Sequence, residues 1–129
     1  MSDLVLDASA VLAFVKDETG ADRVDELMRA GEAVVSAVNL AEAVSKLTDD
    51  GWPIERVRSG IATTGARSVA FLVEDAYIAG LLRERTRHRG LSLGDRACLA
   101  LALRLGAPAL TADRSWGELE LGIEVVLIR

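Results

Sequence analysis

The stretch Leu4-Val5-Leu6-Asp7-Ala8-Ser9 decides how the rest of the chain is read. Two leucines around a β-branched valine form a short apolar run of the kind that makes a buried strand. Ala10-Val11-Leu12-Ala13-Phe14-Val15 follows at once, with the length and composition to open a helix. The strand therefore ends on a carboxylate at a strand-to-helix turn. Open α/β sheets place ligands outside the carboxyl ends of their strands, so Asp7 sits where chemistry is expected. Asp is equally at home there as a turn or N-cap residue, and both readings stay open for Asp7 alone.

Downstream, strand and helix patterns alternate. Asp17-Glu18-Thr19-Gly20 breaks the first helix, and Ala21 to Ala30 reads as a helix with Val24, Leu27 and Met28 inward, closed by Gly31. Ala33 to Ser36 is a second strand. Val38 to Asp50 is a helix with Leu40, Ala43, Val44 and Leu47 on its apolar face. After Gly51-Trp52, Pro53 suits the first position of a helix that carries Ile54, Val57 and Ile61 on one stripe. Ser68 to Leu72 reads as a third strand. A helix from Glu74 to about Arg87 follows, with Tyr77, Ile78, Leu81 and Leu82 apolar and its arginines late, where the helix dipole favours them. A helix from about Asp95 to Leu105 is stopped by Gly106-Ala107-Pro108. Ala109 to Thr111 is a very short strand, Asp113 to Trp116 a turn, and Ile123 to Ile128 a terminal strand. This alternation predicts an α/β fold of three layers, α/β/α, with a mainly parallel central sheet of about four or five strands.

Composition bounds the answer. The chain has 129 residues, the size of one domain, and such a chain buries roughly two-thirds of its unfolded surface without staples. Half its residues are hydrophobic but only 4% are aromatic, so the core is Ala, Leu and Val, as suits helices on a parallel sheet. Cys98, the single cysteine, excludes an internal disulfide and fits a reducing compartment. No signal-peptide pattern and no run of membrane-spanning length is visible, so a cytoplasmic location is expected. The formal net charge of −5 argues globally against a nucleic-acid binder. Its distribution argues otherwise: acids crowd the first half, while Arg83, Arg85, Arg87, His88 and Arg89 form a dense basic run that could meet phosphates.

Four acids stand beside strand ends or the helix starts that follow them: Asp7, Glu42, Asp95 and Asp113. Each has a local explanation. Glu42 lies with Asn39 and Lys46 opposite an apolar helix face, where charges are usually solvated. Asp95 completes Ser92-Leu93-Gly94-Asp95, the spacing of a capping box. Asp113 can cap the turn toward Trp116. Their coincidence on one edge of a parallel sheet changes the reading, because gathered like charges repel unless a cation intervenes. An acidic pocket without His or Cys suits Mg²⁺ or Mn²⁺; His88 and Cys98 cannot supply a zinc site. His88 reads as solvated, Cys98 as a small core residue, and Trp52 and Trp116 as packing anchors.

The pieces Leu6-Asp7-Ala8-Ser9-Ala10, Ser36-Ala37-Val38-Asn39-Leu40-Ala41-Glu42, Leu91-Ser92-Leu93-Gly94-Asp95-Arg96-Ala97-Cys98-Leu99-Ala100 and Leu110-Thr111-Ala112-Asp113-Arg114-Ser115-Trp116 occur in that order over nearly the whole chain. Together they resemble a PIN domain, and within that family the VapC-type toxin ribonucleases of toxin–antitoxin pairs. The resemblance implies one PIN domain over residues 1–129. It implies that Asp7, Glu42, Asp95 and Asp113 form an acidic site around Mg²⁺ or Mn²⁺, with Ser9 and Thr111 as hydroxyl neighbours and Asn39 in the matching segment. It also implies an RNA substrate, a homodimer and a VapB-type antitoxin that blocks the site. The Trp52 break and the Ile54, Val57, Ile61 stripe offer apolar surface for a dimer. Arg83, Arg85, Arg87 and Arg89 are candidates to hold an RNA backbone, and Arg96 and Arg114, nearer the acids, to contact the scissile phosphate or pair with those acids.

Other functions predict other residues. A phosphate-accepting receiver would pair acids after its first strand and place a lysine after a late one; here Asp7 stands alone and Asp113 is followed by Arg114. An Asp-x-Asp phosphotransferase needs an acid where Ser9 stands. A covalent aspartyl phosphate would identify either. A non-catalytic interaction domain is separated by metal-dependent RNA cleavage lost on Asp7→Asn.

Overall fold

The opening stretch becomes the middle of a sheet. In the computed structural model, which describes residues 2–129, β1 (Asp3–Leu6) lies at the centre of five strands. The others are β2 (Glu32–Ser36), β3 (Arg67–Val69), β4 (Ala109–Thr111) and β5 (Val125–Leu127), in the spatial order β3-β2-β1-β4-β5. Every pairing is parallel; Leu4 faces Ala33 across β1/β2, and Leu6 faces Leu110 across β1/β4. Buried on both faces, β1 carries apolar residues in both orientations.

The period of two along the strands divides the core. Leu6, Ala33, Val35 and Leu110 point to one face, where they pack with α1 (Ala8–Val15), α2 (Ala21–Ala30), α3 (Ala37–Asp49) and α4 (Ile54–Ala62). Val5, Val34 and Ala109 point to the other, onto α5 (Val73–Thr86), α6 (Leu93–Leu105) and the fully buried Trp116. The result is three layers, α/β/α. Gly106 ends α6 in the left-handed region, at φ 63°, with its N–H on the carbonyls of Ala102 and Leu103.

Several boundaries move. The third strand is Arg67–Val69 rather than Ser68–Leu72: Phe71 and Leu72 lie in the approach to α5, and the Leu72 N–H donates to Asp75 Oδ2 at 2.9 Å as that helix starts. At the edge of the sheet, with Arg67 and Ser68 exposed and Val69 only partly buried, little burial is available to extend the strand. The last strand is Val125–Leu127 within the expected 123–128, and α6 starts two residues earlier, at Leu93. On α5, Leu82 is buried whereas Tyr77 and Leu81 are exposed. On α4, Val57 is a core residue, so the stripe leaves Ile54, 52% exposed, as its open member. Trp116 anchors the core as expected; Trp52 is half-buried, with the Arg56 guanidinium 3.7 Å above its ring. No helix is long and apolar enough to cross a membrane among the described residues.

Candidate active site

The parallel sheet brings the carboxyl ends of β1 and β4 together, and the helix starts after β2 and before β4 meet them there. Asp7, Glu42, Asp95 and Asp113 line a single cleft of about 290 Å³, with Ser9, Ser92, Leu12, Ala8 and Lys46. All four acids thus line one cleft at the edge of the sheet.

Asp7 caps α1, its Oδ1 accepting from the Ala10 N–H at 2.8 Å. The Ser9 hydroxyl donates to Oδ1 at 2.6 Å and the Thr111 hydroxyl to Oδ2 at 2.5 Å. Both hydroxyls spend their protons on Asp7 and then accept from the turn after β4: Ala112 N–H to Ser9 Oγ at 2.9 Å, Asp113 N–H to Thr111 Oγ1 at 3.0 Å. This network staples the end of β4 to the start of α1 and fixes the Asp7 carboxyl group. Asp7 is 5% exposed. Burial pushes its pKa up to about 6, against the hydrogen bonds of Ser9, Thr111 and Ala10, and the negative charge of Asp95 adds to the rise. Among the described residues, no cationic side chain bonds it.

The other acids hold local partners. Ser92 and Asp95 form the capping box the spacing predicts: Asp95 Oδ2 accepts from Ser92 N–H at 2.9 Å and Ser92 Oγ from Asp95 N–H at 3.1 Å. Asp113 Oδ1 accepts from the Ser115 N–H and hydroxyl at 2.9 and 2.7 Å, starting a 3₁₀ turn over Arg114–Glu118. Glu42 Oε1 accepts from Asn39 Nδ2 at 2.8 Å, and the same amide donates to the Gly94 carbonyl at 2.9 Å. Capping and site-forming are therefore one arrangement: the bonds that start α1, α6 and the 3₁₀ turn also aim their acids at the cleft.

The donor set is carboxylate and hydroxyl oxygen, which suits a hard divalent cation. Among the described residues, Asp7 is buried with no cationic side chain bonded to it, and Asn39 Oδ1 is buried without a hydrogen-bond partner. Among the described residues, no three acids close on one point as they stand. Charges of one sign hold apart, and Asp95, Asp113 and Glu42 each keep their local bonds.

Lys46 is the one cation lining the cleft among the described residues, one turn after Glu42 on α3. Its spacing from Glu42 was the available signal, and a lysine on a polar helix face gives no reason to single it out. The six arginines do not line the cleft. Arg85 Nη2 donates to the Glu120 carbonyl at 2.6 Å, Arg89 pairs with Glu118, Arg96 Nη1 donates to the Ala79 carbonyl at 2.8 Å, and Arg114 Nη1 to the Arg129 carbonyl at 2.9 Å. Arg83, Arg87 and His88 are exposed. Cys98 is wholly buried; burial first, then the charges of Asp7, Asp95 and Glu42, pushes its thiol well above the ordinary value, so it remains a neutral core residue.

A PIN-domain family model matches residues 4–120. Among solved structures, the DNA-bound VapBC of Salmonella typhimurium is similar over all of both chains, with TM-score 0.78 and 15% identity. VapBC2 of Rickettsia felis, bound to a promoter DNA fragment, matches with TM-score 0.74 at 15% identity, over 95% of this chain and 96% of that one. VapC20 of Mycobacterium tuberculosis, a Sarcin-Ricin loop cleaving toxin, matches with TM-score 0.71 at 16% identity, over 94% of this chain and 98% of that one. No curated protein matches the chain in sequence.

Proposed function

The chain belongs to the PIN-domain family, and from that premise we propose that it is a metal-dependent endoribonuclease, the VapC-type toxin of a toxin–antitoxin pair, acting as one domain over residues 1–129. The observation that carries this reading is Asp7: a carboxyl group buried among hydroxyls, in an acidic cleft, with no cationic side chain bonded to it among the described residues. Asp7, Glu42, Asp95 and Asp113 would hold Mg²⁺ or Mn²⁺. The bound cation would draw charge from a phosphodiester and acidify an attacking water.

The protein's own groups do the positioning. Ser9 and Thr111 hold Asp7 against rotation, Asn39 holds Glu42, and the capping box holds Asp95. Asp113, at the cleft mouth on an exposed turn, is placed to orient a water or serve a second ion. In the hydrolysis, an oxygen–phosphorus bond forms from water and the bond to O3′ breaks. The products carry a 5′-phosphate and a 3′-hydroxyl, and the 2′-hydroxyl takes no part. Arg83 and Arg87, exposed and unpaired to carbonyls, are better candidates for RNA backbone contact than Arg85, Arg89, Arg96 and Arg114, which already donate elsewhere.

The toxin role, with RNA cleavage that inhibits translation and growth in the cytoplasm, rests on the likeness to VapBC structures. It brings a VapB-type antitoxin as partner and a homodimer as the working unit. The test is RNA cleavage by the purified chain with Mg²⁺, Mn²⁺ or EDTA, reading product ends. Metal-dependent cleavage leaving 5′-phosphates, abolished by EDTA and by Asp7→Asn, is expected. Absence of cleavage with either metal, or full cleavage by Asp7→Asn, would overturn the assignment.

A further inference from the structure

Gly94 stands in the first turn of α6 with its backbone outside the left-handed region. Nothing in its conformation calls for glycine, and within a helix glycine is less favourable than alanine. Space calls for it. A Cβ at position 94 would fall within 2.5 Å of Cδ, Oε1 and Oε2 of Glu42, closer than such atoms approach. The Glu42 carboxylate therefore lies flat on the Gly94 backbone. Asn39, 1% exposed, clamps the same contact: its Nδ2 donates at once to Glu42 Oε1 and to the Gly94 carbonyl. The next residue is Asp95, locked by Ser92.

We infer that Gly94 is a positioning residue: with Asn39 it forms a seat on α6 that fixes where the Glu42 carboxylate stands relative to Asp95. Its importance for activity rests on the ribonuclease reading; the seat itself does not. The group an added methyl would strike is the tip of a flexible side chain, so Gly94→Ala moves Glu42 and leaves the fold intact. A displacement of about 1 Å of a reacting group costs about 100-fold in rate.

The test uses wild type, Gly94→Ala, Glu42→Asp, Glu42→Ala and the two double variants. In metal-free buffer, Gly94→Ala is expected to raise Tm in the Glu42→Ala background, where helix propensity acts alone, and to raise it less or not at all when Glu42 is present. Gly94→Ala alone is expected to lower kcat for RNA cleavage about 100-fold with little change in KM, and to raise the Mn²⁺ concentration needed for half-maximal thermal stabilisation. The shorter Glu42→Asp side chain clears the methyl, so adding it to Gly94→Ala should recover activity instead of multiplying the losses. Equal Tm gains in both backgrounds would overturn the seat. Wild-type cleavage and Mn²⁺ requirement in Gly94→Ala would overturn the positioning role. A wild type that cleaves no RNA, with unequal Tm gains, would sink the ribonuclease reading and uphold the seat.

Discussion

Asp7 and Asp75 are both buried aspartates, 5% and 1% exposed, yet their surroundings drive them in opposite directions. Asp75, in the first turn of α5, receives two bonds from Arg104 in the last turn of α6, from Nε at 2.6 Å and Nη2 at 3.1 Å, and a third from Leu72 N–H. Burial alone would raise it; the Arg104 bonds and charge and the Leu72 N–H outweigh burial and hold it below the ordinary carboxylate value. Asp7 also receives three bonds, but all from neutral donors, and burial wins, lifting it to about 6. The difference is one cation. At the contact of α5 and α6 the chain brings its own, and the pair joins two helices. In the cleft no cationic side chain bonds Asp7 among the described residues, and nothing of opposite charge offsets its burial there.

The sharpest break between the two is catalytic. Asp7→Asn should lower RNA cleavage by at least about 100- to 1000-fold, whereas Asp75→Asn should cleave at the wild-type rate per folded molecule; single-turnover assays on both check this. A loss shared equally would mean that Asp7 matters only for folding.

The next contrast is in stability. Arg104→Ala leaves Asp75 buried without its partner and should cost about 3 kcal/mol, lowering Tm by about 10 °C. Denaturant melts at neutral pH measure it, and a change within error would deny the pair its structural role.

Asp7 should respond with the opposite sign. As pH falls, the folded protein takes a proton on Asp7 near 6, while the unfolded chain does so only near 3.8. Between these values the folded state binds more protons, so stability falls as pH rises through the window. In EDTA, Asp7→Asn should therefore be more stable than wild type at pH 7.5, by about 3 kcal/mol at most, with the gain gone near pH 3.5. A variant equally or less stable at pH 7.5 would contradict the burial argument.

The smallest effect sharpens the comparison directly. Mg²⁺ or Mn²⁺ at about ten times its Kd should stabilise the fold by about 1.4 kcal/mol at neutral pH, less below pH 6 as Asp7 protonates. The shift should vanish in Asp7→Asn/Asp95→Asn and persist in Asp75→Asn. An equal shift in all three proteins would locate the ion elsewhere.

The legible parts of this molecule are those written in local patterns. Leu4 to Leu6 announces a buried strand, Ser92 and Asp95 announce a cap, and strand–helix alternation announces the parallel sheet whose edge collects Asp7, Glu42, Asp95 and Asp113. Phe71 and Leu72 misled because an apolar run of strand-like composition serves as the lead into α5. Two features were out of reach for a different reason. The Asp75–Arg104 pair and the seating of Glu42 on Gly94 join residues far apart in the chain, with no periodicity or motif between them. The basic run at residues 83–89 was visible as charge, but the backbone carbonyl and the acid that tie Arg85 and Arg89 to residues 118–120 were not.

The position of β1 bears on how this fold is assembled. It is the first strand in the chain and the middle one in the sheet, and its partner β4 pairs Val5 with Ala109 and Leu6 with Leu110. Closing so long a loop makes this a high-contact-order step, slow compared with helix formation. A chain emerging from the ribosome has Asp7, Glu42 and Asp95 well before Thr111, Ala112 and Asp113 arrive to staple β4 against α1. Until then the Thr111 hydroxyl is missing from Asp7, and the cleft has three walls. The cleft is thereby completed only by residues that the chain supplies last, from β4 and the turn after it.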